Sequence, residues 1–224
     1  MKNIIFIYMH KTVDNLKIIE NEYKDNKFSN IPQIIAVTKT FPIDKILPLI
    51  DYGHIHYGEN KIQEAIKKWS EIKEKYKEIK LHMIGNCQTN KVKYLIPLFD
   101  YLHSLDNLKL AEKISNEQAK KGKKLKIFIQ VNIGNEPQKN GIEINNLNNF
   151  YEECKKNLDL DIIGLMCIPP INKKSNEYFS KMQELSKEIG LENLSMGMSD
   201  DYLEAVKYGS NFVRIGTKIF GKRF

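Results

Sequence analysis

The feature that most constrains this chain is the regularity with which short apolar runs alternate with longer amphipathic stretches. The apolar runs fall at about residues 34–38, 55–58, 81–84, 101–104, 126–133, 161–166, 193–196 and 212–215. Stretches with apolar residues at helical spacing fill the gaps, at about 43–52, 60–79, 89–95, 106–121, 144–157, 175–189 and 200–208. In the longest, Ile62, Ala65, Ile66, Trp69, Ile72 and Tyr76 share one face. Pro97 is expected to stop the third. Asp106 or Asn107 can cap the fourth, and Gly122 can close it. A further helix, about 12–23, precedes the first strand. Strict alternation demands parallel strands, and eight of them predict closure into an α/β fold of the (β/α)8 TIM barrel type. An open doubly wound sheet is the alternative. No Gly-x-Gly-x-x-Gly follows an early strand, however, so a dinucleotide site is not expected. The 224 residues read as one domain, with a helical region over 1–30 and the barrel over 31–224.

Composition removes several classes. The chain is 42% hydrophobic, enough for a full core. No apolar run nears the roughly 18 residues of a membrane span. The start, Met1 to Tyr8, has a short apolar stretch soon followed by His10, Lys11 and Asp14, and reads as an ordinary amino terminus. Cys87, Cys154 and Cys167 are odd in number and widely spaced, which fits a reducing cytoplasm and neither a disulfide framework nor a zinc site. The net charge of +7 invites a nucleic-acid partner. The lysines are nevertheless mixed with glutamates along helices, and no basic stripe with interleaved aromatics occurs, so none is expected. Of the 35 Lys and Arg residues only Arg214 and Arg223 are arginine, leaving 33 lysines. Arg223 reads as a surface charge. Arg214 lies in an apolar strand, where a chain so partial to lysine uses arginine for a reason.

Lys39 ends the run Ile34-Ile35-Ala36-Val37-Thr38, and most other lysines lie in charged helical stretches. Beside a dry interior an ammonium is destabilised, and the free amine can form a Schiff base with an aldehyde. Active sites of this fold form where the strands end, with phosphate sites often after strands seven and eight. Those ends carry Gly197-Met198-Ser199-Asp200-Asp201 and Arg214-Ile215-Gly216-Thr217. Ser199 offers a hydroxyl, and Asp200-Asp201 read as a helix start whose N–H groups can face an anion. Gly216 admits close backbone approach, and Thr217 adds an N–H and a hydroxyl. Taken singly, a Ser-Asp pair is more often a plain helix cap. Next to Lys39 around a closed barrel, the set describes an aldehyde-and-phosphate site. Pyridoxal 5′-phosphate (PLP) has both groups, and Arg214 would donate to its pyridine nitrogen. The competing account of Arg214 is a structural ion pair with a carboxylate.

The chain resembles the pyridoxal phosphate homeostasis protein family. The matching segments are Ile35-Ala36-Val37-Thr38-Lys39-Thr40, Tyr57-Gly58-Glu59-Asn60 with Gln63-Glu64, and His82-Met83-Ile84-Gly85 with Gln88, Asn90 and Lys91. They continue with Gly164-Leu165-Met166, Ser195 through Asp201, and Val213-Arg214-Ile215-Gly216-Thr217 with Ile219-Phe220-Gly221. The resemblance runs from about residue 31 to the end, and the segment before Ile31 matches poorly. Thr38, Cys87 and Asn140 depart from the residues the family often has there. The resemblance implies a barrel like the N-terminal domain of alanine racemase, with PLP held as a Schiff base on Lys39. It implies phosphate contacts at Ser199, Gly216 and Thr217, a ring contact from Arg214, and Asn60 and Met198 close to the cofactor. It further implies a cytoplasmic monomer in intracellular PLP (vitamin B6) homeostasis, without established catalytic activity, whose partners are PLP and PLP-dependent apoenzymes.

The runner-up is a PLP-dependent amino-acid racemase, which needs an acid/base group on each face of the cofactor. In alanine racemase a second domain supplies one of them, and this chain is expected to lack that domain. No tyrosine stands at a strand end facing Lys39, although Tyr57 is near the second. A lyase forming a Schiff base on Lys39 would want acidic residues on inner strands, and few are evident. His54 and His56 alternate along a strand like metal ligands but have no clear third, so structural or surface roles are expected and no metal. His82 and His103 read as buried, hydrogen-bonded residues. Lys91 and Lys93 read as a solvated helix face, and Cys167 receives no role.

Overall fold

A computed structural model describes residues 10–28, 30–171 and 173–222. The apolar start at residues 1–8 and Arg223 lie outside the described residues.

Eight parallel strands close in sequence order: β1 (Gln33–Val37), β2 (His56–Glu59), β3 (Lys80–Met83), β4 (Tyr101–Leu105), β5 (Lys126–Val131), β6 (Asp161–Cys167), β7 (Asn193–Ser195) and β8 (Phe212–Ile215). The barrel shuts where Ile35 pairs with Arg214 and Ala36 with Ile215. The predicted (β/α)8 architecture is therefore the observed one. Helix α1 (Lys11–Asp25) precedes the barrel, and α2 (Leu47–Asp51), α3 (Ile62–Lys75), α4 (Val92–Leu98), α5 (Leu108–Lys121), α6 (Leu147–Asn157), α7 (Ser175–Glu188) and α8 (Tyr202–Lys207) join successive strands. A short helix, α9 (Thr217–Phe220), follows β8 and was not expected from the pattern.

Helix ends follow local chemistry. Asn107 accepts a hydrogen bond from Leu110 N–H, and Gly122 takes the left-handed conformation at φ 62°, so α5 has the cap and stop its sequence offers. Such a cap stabilises by about 1 kcal/mol. Three expected helices begin with a tighter turn, at Ile43–Lys45, Thr89–Lys91 and Ile144–Asn146. Helix α3 ends at Lys75 and not near 79, because Tyr76 leaves helical torsions and the buried Ile79 must enter β3 extended. Pro97 does not stop α4, which runs on to Leu98. Ile96 is fully buried, and the carbonyls of Pro97 and Leu98 accept from the ammoniums of Lys123 and Lys73. Burial of the helix's apolar face outweighs the bond the proline cannot donate, and the two lysines satisfy carbonyls of the last turn.

Two apolar bodies result. The larger lies between strands and helices and includes the fully buried Trp69, Leu16, Ile19 and Phe179. The smaller fills the barrel itself with Ile35, Tyr101, Phe128, Met166 and Phe212. Among the described residues no helix is long and apolar enough to cross a membrane.

Candidate functional site

Lys39 lies in a turn two residues past β1 and is half-buried, so it is not part of the strand itself. The turn is held from both sides. Thr38 N–H donates to Gly58 O at 2.9 Å, and Thr38 Oγ1 donates to Glu59 Oε1 at 2.7 Å. Lys68 Nζ donates to Thr38 O at 2.8 Å and to Glu59 Oε1 at 2.8 Å, and Trp69 Nε1 reaches the same oxygen at 3.0 Å. On the other side Thr40 adopts φ 69°, a left-handed torsion uncommon for a β-branched residue. Phe41 then stacks on Phe220 of α9, ring centroids 4.8 Å apart. Lys39 thus leaves the barrel between a clamped residue and a strained one.

The loop after β7 is shaped by Gly197, whose φ is 89° and where an added Cβ would lie 2.6 Å from Ala205 Cβ. The helix expected from Asp200 starts later, and Asp201, at its N-cap position, makes no side-chain cap bond. It accepts instead from Met198 N–H at 2.7 Å, and α8 begins only at Tyr202. Ser199 Oγ accepts from Lys218 N–H at 3.3 Å, which joins this loop to α9. Helix α1 braces α9 from outside: Lys218 Nζ meets Glu22 Oε2 at 2.8 Å and Tyr202 OH at 2.7 Å, and Asn15 Nδ2 donates to Ile219 O at 2.8 Å. Helix α1, in the segment expected to match the family poorly, therefore supports the strand-eight end of the barrel. Asn60 is fixed by Gly85, where a Cβ would come within 2.4 Å of Asn60 O.

Arg214 rises from β8 almost wholly buried. Its Nη1 donates to Ser195 O at 2.7 Å and to Ser195 Oγ at 2.8 Å, and its Nη2 donates to Cys167 O at 2.9 Å. Among the described residues it makes no ion pair, so the carboxylate account does not hold. Burial pulls the guanidinium below its usual pKa, and it stays protonated. Burial also pushes the neighbouring Cys167 thiol up to about 12, which disfavours its reactive thiolate.

Lys39, Asn60, Met198, Ser199, Arg214, Gly216 and Thr217 all line one cavity of about 420 Å³ at the carboxyl end of the barrel. That places it within the range of small-molecule sites. Val37, Ile84, Gly85, Ile168 and Asp200 complete the lining; all but Ile168 lay within the family-like segments of the sequence, though none was named as a cofactor contact. Ile168 follows β6, whose end bore no motif-like residue. Tyr57 turns outward, its ring 4.8 Å from Trp69 and its hydroxyl donating to His54 O. No group of three or more His, Cys, Asp or Glu among the described residues could hold a metal. His54 and His56 are instead neutral, desolvation lowering both pKa values to about 4. Lys93 sits exposed over Tyr94, and Lys91 lines a shallow groove beside Asn60.

A family model described as alanine racemase, N-terminal domain, matches residues 13–223 and so reaches back into α1. The pyridoxal phosphate homeostasis protein of Aquifex aeolicus is 37% identical over 203 residues, covering 87% of this chain and 88% of that protein. The structure of PipY from Synechococcus elongatus PCC7942 with PLP bound superposes with a TM-score of 0.84 at 29% identity, covering 95% and 100% of the two chains. Alanine racemase of Clostridium difficile 630 superposes at 0.73 with 17% identity, covering 94% of this chain and 57% of the other, a likeness of fold alone.

Proposed function

The chain belongs to the pyridoxal phosphate homeostasis protein family, within the group built on the alanine racemase N-terminal domain, and on that premise we propose that it binds PLP reversibly through Lys39 and serves PLP homeostasis. One observation carries the reading: a single cavity gathers an amine at Lys39, a hydroxyl-and-backbone end at Ser199, Gly216 and Thr217, and a buried guanidinium at Arg214. PLP supplies an aldehyde for the amine and an electron-drawing ring.

The residues present fit that group. Lys39 would form the Schiff base with loss of water, while Ser199, Gly216 and Thr217 would hold the phosphate. Nothing inside the protein requires glycine at 216: its φ is −113°, and a Cβ would make only an ordinary 3.5 Å contact with Val37. A bare backbone on the cavity wall there suits a ligand pressed against it. Asn60 and Met198 would border the ring. Arg214 would donate to the pyridine nitrogen without giving up its proton, which leaves the ring a weaker electron sink. That favours carriage over carbanion chemistry. The carrier reading is also supported by the described lining, which holds no tyrosine or histidine to oppose Lys39. Within the same proposal the protein is a cytoplasmic, single-domain monomer that passes PLP to apoenzymes. Its three buried free thiols agree with a reducing compartment.

The test is a labelled-adduct map. Protein mixed with PLP, reduced with borohydride and digested is expected to carry the pyridoxyl group on Lys39. A label scattered over surface lysines, or none, overturns the reading. The PLP-loaded protein before reduction is expected not to interconvert L- and D-alanine above the rate of free PLP, followed by chiral chromatography. Enzyme-like turnover would replace the carrier with a racemase.

A further inference from the structure

The barrel interior contains a polar line that the cofactor reading does not use. His56 from β2, His82 from β3, His103 from β4 and Ser195 from β7 meet inside the apolar filling. His82 and His103 are wholly buried. Tyr101 stacks on His82 with centroids 4.1 Å apart, and Phe128 stacks on His103 at 4.4 Å. The contacts run in order. Arg214 Nη1 lies 2.8 Å from Ser195 Oγ, and Ser195 Oγ lies 2.8 Å from His103 Nδ1. His103 Nε2 lies 2.9 Å from His82 Nδ1, and His82 Nε2 lies 2.9 Å from His56 Nδ1.

Chemistry gives the line one direction. A guanidinium only donates, so Ser195 Oγ accepts from Arg214. Among the described residues Ser195 Oγ has no other hydrogen-bond contact than Arg214 and His103, so satisfying its proton sends it to His103 Nδ1, which is then bare. A neutral His103 therefore carries its proton on Nε2 and donates to His82 Nδ1. His82 repeats the pattern toward His56, whose Nε2–H is left at the far end of the barrel. Burial disfavours the charged form of every ring, so neutral tautomers are the states to consider. All the lone pairs in the line face Arg214.

We propose that Ser195, His103, His82 and His56 are positioning residues for Arg214, an oriented hydrogen-bond wire that holds the guanidinium toward the cavity without a carboxylate partner. A buried cation must be compensated. Among the described residues no carboxylate touches the guanidinium, Asp201 acting on it only from a distance, so oriented neutral dipoles supply the contact stabilisation that a carboxylate would otherwise give. The consequence for PLP rests on the function proposed above; the orientation of the wire does not.

The test separates the two. In PLP-free protein with 15N-labelled histidine, NMR correlations are expected to show His56, His82 and His103 each with bare Nδ1 and protonated Nε2. Ser195→Ala cuts the wire at Arg214 while leaving the guanidinium its bonds to the Ser195 and Cys167 carbonyls. His103 is then expected to lose its single tautomer. The variant is expected to bind PLP about tenfold more weakly, as loss of a charge-assisted bond predicts, with a shifted absorption maximum for the bound cofactor. A proton on Nδ1 of His103 in the unsubstituted protein overturns the proposal. So does a Ser195→Ala protein with unchanged tautomers and an unchanged cofactor spectrum. Ordered tautomers in a protein that takes up no PLP would uphold the wire and sink the functional reading.

Discussion

Lys39→Ala protein mixed with PLP is expected to stay colourless, and borohydride labelling is expected to fall to the background of the remaining lysines. The expectation rests on placement. Lys39 lines the cavity with Ser199, Gly216 and Thr217, and many other lysines lie on helices spent on surface ion pairs such as Lys61–Glu64 and Lys181–Glu184. Exposed pairs of that kind are worth little and form no pocket. Removing the amine deletes the one covalent bond the site can make. The phosphate end and Arg214 are untouched, so weak reversible binding should persist as quenching of protein fluorescence by added PLP. Absorbance spectra and a peptide map decide the matter. A Lys39→Ala protein that remains yellow, with its label on another residue, would remove Lys39 from the centre of the site.

Glu59→Ala is expected to be the most damaging single change to stability. The Glu59 side chain is fully buried, and one oxygen accepts from Thr38, Lys68 and Trp69 together. Among the described residues its other oxygen has no hydrogen-bond partner. Alanine there takes an acceptor from three donors: Trp69 Nε1 loses its acceptor, Thr38 Oγ1 keeps only its 3.2 Å bond to Gly58 O, and the Lys68 ammonium, whose side chain is only 14% exposed, keeps Thr38 O but loses its counter-charge. Breaking a buried pair from one side costs about 3–5 kcal/mol. For a protein of this size that is a fall in Tm of roughly 6–20 °C. Glu59→Gln, which keeps the shape and an acceptor, should lose less. Thermal denaturation of both variants measures this, and a Glu59→Ala protein melting within about 2 °C of the parent would show the clamp to be idle. Because Thr38 is one of the clamped residues, the surviving folded protein should also label more slowly at Lys39.

What could be read from the sequence followed from local rules. The eight apolar runs, the Asn107 cap and the Gly122 stop need no knowledge of distant residues. The phosphate-like ends were legible because glycine, serine and threonine at strand ends carry their meaning locally. The rest depended on partners far along the chain. Pro97 sits inside α4, where Leu95 and Ile96 are buried against the core and Lys73 and Lys123 reach from elsewhere to the last-turn carbonyls. Asp200-Asp201 read as a helix start, but the Asp201 carboxylate turns back to Met198 N–H and α8 begins at Tyr202. Four short residues after Gly216 form α9 because α1 packs beside them, and no helical period can be seen in so few positions. The histidine line was the least visible. His56, His82 and His103 are 26 and 21 residues apart, and Ser195 is 92 beyond the last, so only strand register brings them together. His54 and His56, judged as a pair, turned out to have different partners: His54 bonds to the backbone at His56 O, and His56 bonds to His82.

The brace between α1 and α9 sets an order of events at synthesis. Asn15 and Glu22 are made before any barrel strand, yet they bond to Ile219 and Lys218, which follow all eight. Contacts spanning 204 and 196 residues form late, since loop closure must be paid for before they reward it. Lys218 is also the residue whose N–H meets Ser199. A ribosome-bound chain that already displays Lys39 therefore has no finished cradle to set against it, and the earliest helix waits for the latest one before the pocket is whole.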